Sequence, residues 1–218
     1  MSTLIVTAHP DPTSLTHHAA RRLADVLGDG ESTTAHLAQE GFDPRFTAGD
    51  RQDYLARGRS DPAVVAEQAR IDAAAHLVLV FPVYWWSLPA LLKGWVDRVF
   101  IAGWAFDYDD DDRVVPRLGR LTTHLLPLSG TSEESFARHG YTDAFRTQVE
   151  HGVVEFCGSR RGATAFVHES ESDDSARLAR DVDAAVAVVA AAITGTPGDA
   201  PAGSPARDRQ GRPPGADV

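Results

Sequence analysis

The residues best suited to chemistry fall in two short runs. The first is Thr7-Ala8-His9-Pro10-Asp11-Pro12-Thr13-Ser14-Leu15, where an apolar stretch ends and a helical pattern begins. Backbone N–H groups, two hydroxyls and the field of a helix N-terminus converge there, an arrangement that holds a phosphate or diphosphate. Thr13 and Ser14 are equally good helix caps, and the sequence leaves both uses open. The glycine fingerprint of dinucleotide folds and the lysine-containing phosphate loop are both missing, which argues against a Rossmann dehydrogenase and a nucleoside triphosphatase.

The second run is Phe81-Pro82-Val83-Tyr84-Trp85-Trp86-Ser87-Leu88-Pro89. Side chains of adjacent residues diverge, so two neighbouring indoles at the end of an apolar run make poor core. Indole faces suit the enclosure of a flat apolar ring. The competing assignment packs one Trp beneath the following helix and the other in a subunit contact. Other chemistries are weakly represented. The run Asp107-Tyr108-Asp109-Asp110-Asp111-Asp112 lacks the alternating ligands and glycine of a calcium loop and reads as solvated loop, so no metal site is expected. Ser87, Ser135 and the histidines form no nucleophile triad. Lys93 and Asp97, four apart, pair on one helix face, and Leu91, Trp95 and Phe100 read as a packing stripe.

These runs sit in a chain of 218 residues with formal charge -10 and 43% hydrophobic residues, enough for one domain with a real core. The acidic balance, with 21 scattered basic residues, offers no stripe for a phosphate backbone, so nucleic acid is not an expected partner. No segment approaches the roughly 20 apolar residues of a transmembrane helix, and the opening residues carry no basic region or cleavage-like site. The expectation is a cytoplasmic protein. The single Cys157 rules out an internal disulfide and a thiolate metal cage.

Positioning the two runs requires alternating strands and helices. Strands are expected at Thr3 to Ala8, Ser32 to Leu37, His76 to Phe81, Gly119 to Ser129 and Gly162 to His168. Helices are expected at Leu15 to Leu27, ended by Gly28, at Pro62 to Ala75, capped by Asp61, and at Pro89 to Phe100. A long helix is expected within Glu134 to Phe156 and a last one at Asp174 to Ile193. The stretch AQEGFDPRFTAGD reads as irregular chain. Strands this apolar, alternating with helices, imply a three-layer α/β domain over residues 1–196. Residues 197–218, rich in proline and glycine, read as a disordered tail.

The run FPVYWWSLPALLKGWVDRVFIAGWAFDYD resembles the signature of the NAD(P)H:quinone dehydrogenases of flavodoxin-like fold, of the DT-diaphorase and modulator-of-drug-activity type. HPDPTSLTHHA is similar to that family's first phosphate loop and EGFDPRFTAGDRQDYL to its next connecting segment. The likeness runs from about Thr3 to His168.

The resemblance implies a five-stranded parallel sheet in the order 2-1-3-4-5. It implies FAD, or alternatively FMN, as cofactor, with NAD(P)H as co-substrate in ping-pong hydride transfer to a quinone or related small aromatic acceptor. By the same likeness His9, Thr13, Ser14 and Leu15 hold the flavin's phosphate part. Pro82, Tyr84, Trp85 and Trp86 line the isoalloxazine edge, with Trp85 beside the ring where hydride is exchanged. Leu128-Ser129-Gly130-Thr131 falls at the turn that meets the pyrimidine side. Leu128 and Thr131 depart from the family's Thr-Thr-Gly-Gly there. Phe136 replaces a tyrosine that works with a histidine, and His139 stands as the candidate for part of the histidine's role. Family members are homodimers, with Trp85 to Tyr108 the expected contact surface. A second implied reading is a regulatory or interaction subunit of a transport system, with Phe136 marking lost enzymatic function.

Overall fold

A computed structural model describes residues 2–195; the expected tail of 197–218 lies outside the described residues. The chain alternates as β1 (Thr3–Thr7), α1 (Leu15–Leu27), β2 (Ser32–His36), α2 (Ala48–Ala56), α3 (Pro62–Asp72), β3 (His76–Pro82) and α4 (Ala90–Val99). It continues as β4 (Phe106–Tyr108), β5 (Val114–Pro116), β6 (Thr122–Leu128), α5 (Glu133–Arg138), α6 (Tyr141–Phe145), a π-helix (Arg146–Glu155), β7 (Arg160–Thr164) and α7 (Ser175–Thr194). The main sheet is parallel with order β2-β1-β3-β6-β7, the order 2-1-3-4-5 that the resemblance implied.

Alternate residues of the central strands enter two cores. Leu4, Val6, Leu77, Leu79 and Phe81 pack with Leu92, Trp95 and Val99 of α4. Ile5, Val78, Val80, Leu126 and Leu128 pack with Ala19, Ala20 and Leu23 of α1 and Val182, Val186 and Val189 of α7. A strand covered on both faces has no wet side, which is why these segments are almost continuously apolar. Trp95 is wholly buried and its indole N–H donates to Glu67 Oε2 at 2.9 Å, so the stripe on α4 is core.

The structure corrects four expectations. The segment read as irregular contains the start of α2, whose Thr47 and Asp50 form a reciprocal capping box. Few apolar residues mark this helix. Its support is tertiary, because the buried Arg98 donates to Asp50 Oδ1 at 2.9 Å, to Asp61 Oδ2 at 2.5 Å and to the Asp43 carbonyl at 2.7 Å. The expected long helix after Glu134 is broken at Gly140, which takes a left-handed conformation (φ 74°) and restarts the chain as α6 and the π-helix. The aspartate run is divided: Asp107 and Tyr108 lie in β4, paired with β5 in a hairpin, while Asp109 to Asp112 form its exposed turn, the solvated loop expected, where Asp109 Oδ1 accepts from the N–H groups of Asp111 and Arg113.

The last strand is β7, Arg160–Thr164, rather than Gly162 to His168, and its pairing with β6 is irregular between Thr123 and Leu125. The cause is His124. Its buried ring lies against Gly162, where a Cβ would come within 2.4 Å of Nδ1, and Nδ1 accepts the Ala163 N–H at 3.0 Å in place of a ladder bond. His76 Nδ1 sits 3.0 Å from His124 Nε2.

Burial, followed by the nearby His76, pushes the His124 pKa down from 6.5 to about 4. The unfolded chain therefore binds more protons than the folded one between these values, so stability falls as pH drops through that window. His76 and His36 are lowered too, chiefly by burial, and act in the same direction. Urea melts from pH 7.5 to 4.5 should show a progressive loss, His124 alone contributing up to about 3 kcal/mol. A stability independent of pH across this range would contradict the buried neutral histidine pair.

Candidate functional site

Because β1, β3 and β6 are parallel neighbours, the loops that leave them emerge at one edge of the sheet. The order reverses between β1 and β3, the position where open α/β sheets bind ligands.

The loop after β1 is built by its own polar groups. Asp11 Oδ1 accepts from the Thr13 N–H at 2.8 Å and from Thr13 Oγ1 at 2.7 Å, and these bonds hold the Asp11 carboxyl below its ordinary pKa. Ser14 caps α1, its Oγ accepting the His17 N–H at 3.4 Å. The Asp11 N–H donates to His9 Nδ1 at 3.1 Å, so a neutral His9 ring carries its proton on Nε2. Leu15 is half-buried and packs against the core beneath α1. The capping use of Ser14 is thus realised, while Thr13 stands exposed at the loop tip. Beneath the loop, the His17 ring lies 4.8 Å from His36, whose Nδ1 is 2.7 Å from Thr7 Oγ1.

The loop after β3 is a two-residue turn. The N–H groups of Tyr84 and Ser87 each donate to the other residue's carbonyl at 3.2 Å, and Trp85 and Trp86 between them have φ of 50° and 66°. Left-handed backbone at two successive bulky residues costs on the order of 1 kcal/mol or more each and persists only where the surroundings enforce it. Here Val83 donates to the Leu128 carbonyl at 2.7 Å on one side, and α4 begins directly after Pro89 on the other. The turn leaves Tyr84 48% and Trp85 92% exposed. Trp86 folds back, stacking on Tyr141 with centroids 3.9 Å apart and planes at 10°.

After β6, the Ser129 N–H donates to the Val167 carbonyl at 2.8 Å, and Ser129 Oγ accepts from the Thr131 N–H at 3.1 Å. These bonds shape the turn despite its departures from the family pattern. The Gly130 N–H has no acceptor among the described residues. Val83, Trp85, Trp86, Ser129, Gly130, Thr131 and Glu171 line one cavity of about 250 Å³.

Five of the expected residues therefore meet in one place: Trp85, Trp86, Ser129, Gly130 and Thr131. Pro82 and Tyr84 frame the turn, and His9, Thr13, Ser14 and Leu15 lie at the neighbouring strand end. Leu128 points its side chain into the core. Phe136, 1% exposed, is a packing hub whose ring meets those of Trp86, Tyr141, Phe166 and His168. His139 is exposed on the far side of Tyr141, at 5.6 Å between centroids. Sequence reasoning missed Tyr141 and Glu171, which reach the site from segments without a recognisable motif. A second, larger groove of about 790 Å³ lies between α2, α4 and the π-helix, lined by Phe46, Tyr54, Phe100, Phe106 and Phe156. Cys157 also borders it, but burial raises its thiol pKa to about 12, so it is no nucleophile at neutral pH.

Among the described residues no helix is long and apolar enough to cross a membrane, and no group of three or more His, Cys, Asp or Glu is arranged around a metal position.

Comparison with known proteins places this architecture. A family described as flavodoxin-like fold matches residues 1–189. Ribosyldihydronicotinamide dehydrogenase (quinone) of Mus musculus is 30% identical over 178 residues, 71% of this chain and 76% of that protein. NAD(P)H dehydrogenase (quinone) 1 of Rattus norvegicus is 28% identical over 175 residues, again 71% of this chain, and the match spans only 64% of the rat protein. Among solved structures, an NAD(P)H:quinone oxidoreductase from Methanothermobacter marburgensis shares the fold with a TM-score of 0.78 at 21% identity, covering 86% of this chain and 96% of that one. An FMN-dependent NADH-azoreductase from Bacillus anthracis, in complex with FMN, shares it with a TM-score of 0.67 at 17% identity, covering 88% and 98%.

The turn geometry makes a direct prediction about stability. Asparagine tolerates left-handed backbone better than tryptophan, and the Trp85 indole packs on little of the chain. Trp85→Asn should leave the unfolding free energy unchanged or raise it by about 1 kcal/mol in a urea melt. A loss greater than about 1 kcal/mol would show that the indole supports the fold.

Proposed function

We propose, because this chain belongs to the family of flavodoxin-like fold and is related to the NAD(P)H:quinone dehydrogenases, that it is an NAD(P)H-dependent flavoprotein oxidoreductase. Its acceptors are quinones or related small aromatic compounds. One observation supports this above others: the Trp85-Trp86 turn and the Ser129-Gly130-Thr131 turn, from different strands, share a single cavity at the sheet's carboxyl edge.

The residues present fit a flavin, FAD in the first instance with FMN as the alternative. A conjugated ring needs a flat apolar wall, which the indoles supply, and polar donors at one edge, which the Gly130 N–H supplies. The loop from His9 to Ser14 provides the Nε2 proton of His9 beside the N-terminal start of α1, where a phosphate group is favoured, while the Thr13 hydroxyl donates to Asp11 and shapes the loop. When bound, a flavin accepts hydride from a nicotinamide and passes two electrons to an acceptor.

The protein's own contribution is positional and electrostatic. The exposed Trp85 face offers a second ring a place to lie parallel to the first. The Gly130 N–H is held in place by the bonds of the 129–131 turn before any charge develops, so it stabilises that charge without reorganising. His139 is the candidate proton-handling group, although its ring lies behind Tyr141 and does not line the cavity. Phe136 supports the Trp86 and Tyr141 rings from below and has no hydroxyl to offer. The functional unit is a homodimer, with the exposed part of the segment Trp85 to Tyr108 as contact surface.

Two measurements check this reading. Purified protein incubated with FAD or FMN should retain a flavin that bleaches under NADH or NADPH and recovers colour on addition of a benzoquinone. A chain that takes up neither flavin and instead co-purifies with a transport subunit would favour the regulatory reading. His9→Ala, which spares the Ser14 cap and the Thr13 bonds to Asp11, should weaken flavin binding by about tenfold, the worth of one hydrogen bond to a charged group. Unaltered affinity would remove His9 from the phosphate site.

A further inference from the structure

Glu171 lies far from every motif in the chain, yet its carboxylate forms one wall of the cavity shared by the two turns. Its Cδ, Oε1 and Oε2 come within 3.1, 3.2 and 3.3 Å of the place a Cβ on Gly130 would occupy. Neighbouring charges are otherwise engaged: Arg177 pairs with Glu169 and Asp181, and His168 Nδ1 faces the Thr131 carbonyl at 3.0 Å. Glu171 itself has no ion pair or hydrogen bond among the described residues. Its backbone is held by flanking bonds, Ser170 N–H to the Ser129 carbonyl at 2.9 Å and Ser172 N–H to the Glu169 carbonyl at 3.0 Å. The loop is thereby tied to the 129–131 turn, and the carboxylate is presented beside the free Gly130 N–H.

A donor and an acceptor side by side match a particular chemistry. The imide edge of a pyrimidinedione presents carbonyl, N–H and carbonyl in succession, so the Gly130 N–H can meet a carbonyl while a carboxylate oxygen accepts the imide N–H. We infer that Glu171 is a positioning residue for the imide edge of the flavin, and that its negative charge lowers the reduction potential of the bound cofactor. This rests on the flavoprotein reading above and adds a residue and a consequence to it. The physical reason is that reduction places negative charge on the same pyrimidine ring. A carboxylate nearby opposes that charge, while its hydrogen bond to the imide serves the oxidised and reduced rings alike. Glu171 and Gly130 are both exposed, so water screens part of this charge and the effect on the potential is modest.

Two substitutions separate the charge from the hydrogen bond. Glu171→Gln keeps an acceptor oxygen for the imide N–H and removes the charge; Glu171→Ala removes both. The flavin-loaded wild type, Glu171→Gln and Glu171→Ala are titrated anaerobically against a reference dye to obtain the two-electron midpoint potential. Affinity for oxidised flavin is measured separately by fluorescence quenching. Glu171→Gln should bind oxidised flavin within about twofold of wild type and raise the preference for reduced over oxidised flavin by about tenfold, a rise of about 30 mV in midpoint potential. Glu171→Ala should raise the potential similarly and bind oxidised flavin several-fold more weakly; Glu171→Asp should keep the low potential. An unchanged potential in a flavin-loaded Glu171→Gln protein overturns the inference and leaves the flavoprotein reading standing. A wild-type chain that binds neither FAD nor FMN overturns both.

Discussion

Everything at the candidate site depends on parallel pairing. β1 pairs with β3 from Thr3↔His76 to Thr7↔Val80, and β3 pairs with β6 from His76↔Thr122 to Pro82↔Leu128. Strands that run in the same direction and in register must release the chain at the same edge. Three loops remote in sequence are thus delivered side by side, and helices on both faces leave that edge as the open crevice. The chemistry follows from what each loop exposes there: a capped helix start, two indoles and a polar turn.

The indoles are held where an unassisted chain would not place them. Both Trp85 and Trp86 adopt left-handed backbone, and Trp85 turns almost its whole surface to solvent. The turn is clamped by the Val83 bond to Leu128 and by α4, which is itself fixed in place. Gly94 lets the Pro44 carbonyl approach so closely that any Cβ would clash, and Arg98 gathers Asp50, Asp61 and the Asp43 carbonyl around its guanidinium. A buried cation with this many acceptors contributes more to fixing geometry than to net stability. Local strain at the turn is therefore supported by a packed and hydrogen-bonded neighbourhood, and a flat ring lying on Trp85 would cover surface the fold leaves bare.

The central strands and α1, α3, α4 and α7 were legible because each carries a strong local signal. β1 and β3 are almost continuously apolar, Ser14 and Asp61 cap their helices, and Gly28 ends the first. Features written in distant contacts were not. α2 has one buried side chain, Asp50, whose partner Arg98 is 48 residues away. The edge strand β7 shifts because His124, on its neighbour, takes the Ala163 N–H. The site divides the same way. Trp85, Trp86, Ser129 and Gly130 announce themselves by residue type at strand ends. Tyr141 reaches the site only through its stack on Trp86, and Glu171 only through a loop bonded to Ser129. Phe136, singled out because it lacks a hydroxyl, turns out to be the buried support on which Trp86, Tyr141 and His168 rest.

A crystal structure of the chain grown with FAD or FMN locates the bound ring directly. The isoalloxazine is predicted to lie between the Trp85-Trp86 turn and the Ser129-Gly130-Thr131 turn, with its phosphate at the loop from His9 to Ser14. Density for the ring in the groove between α2, α4 and the π-helix, with the 129–131 cavity empty, would contradict the assignment of the site.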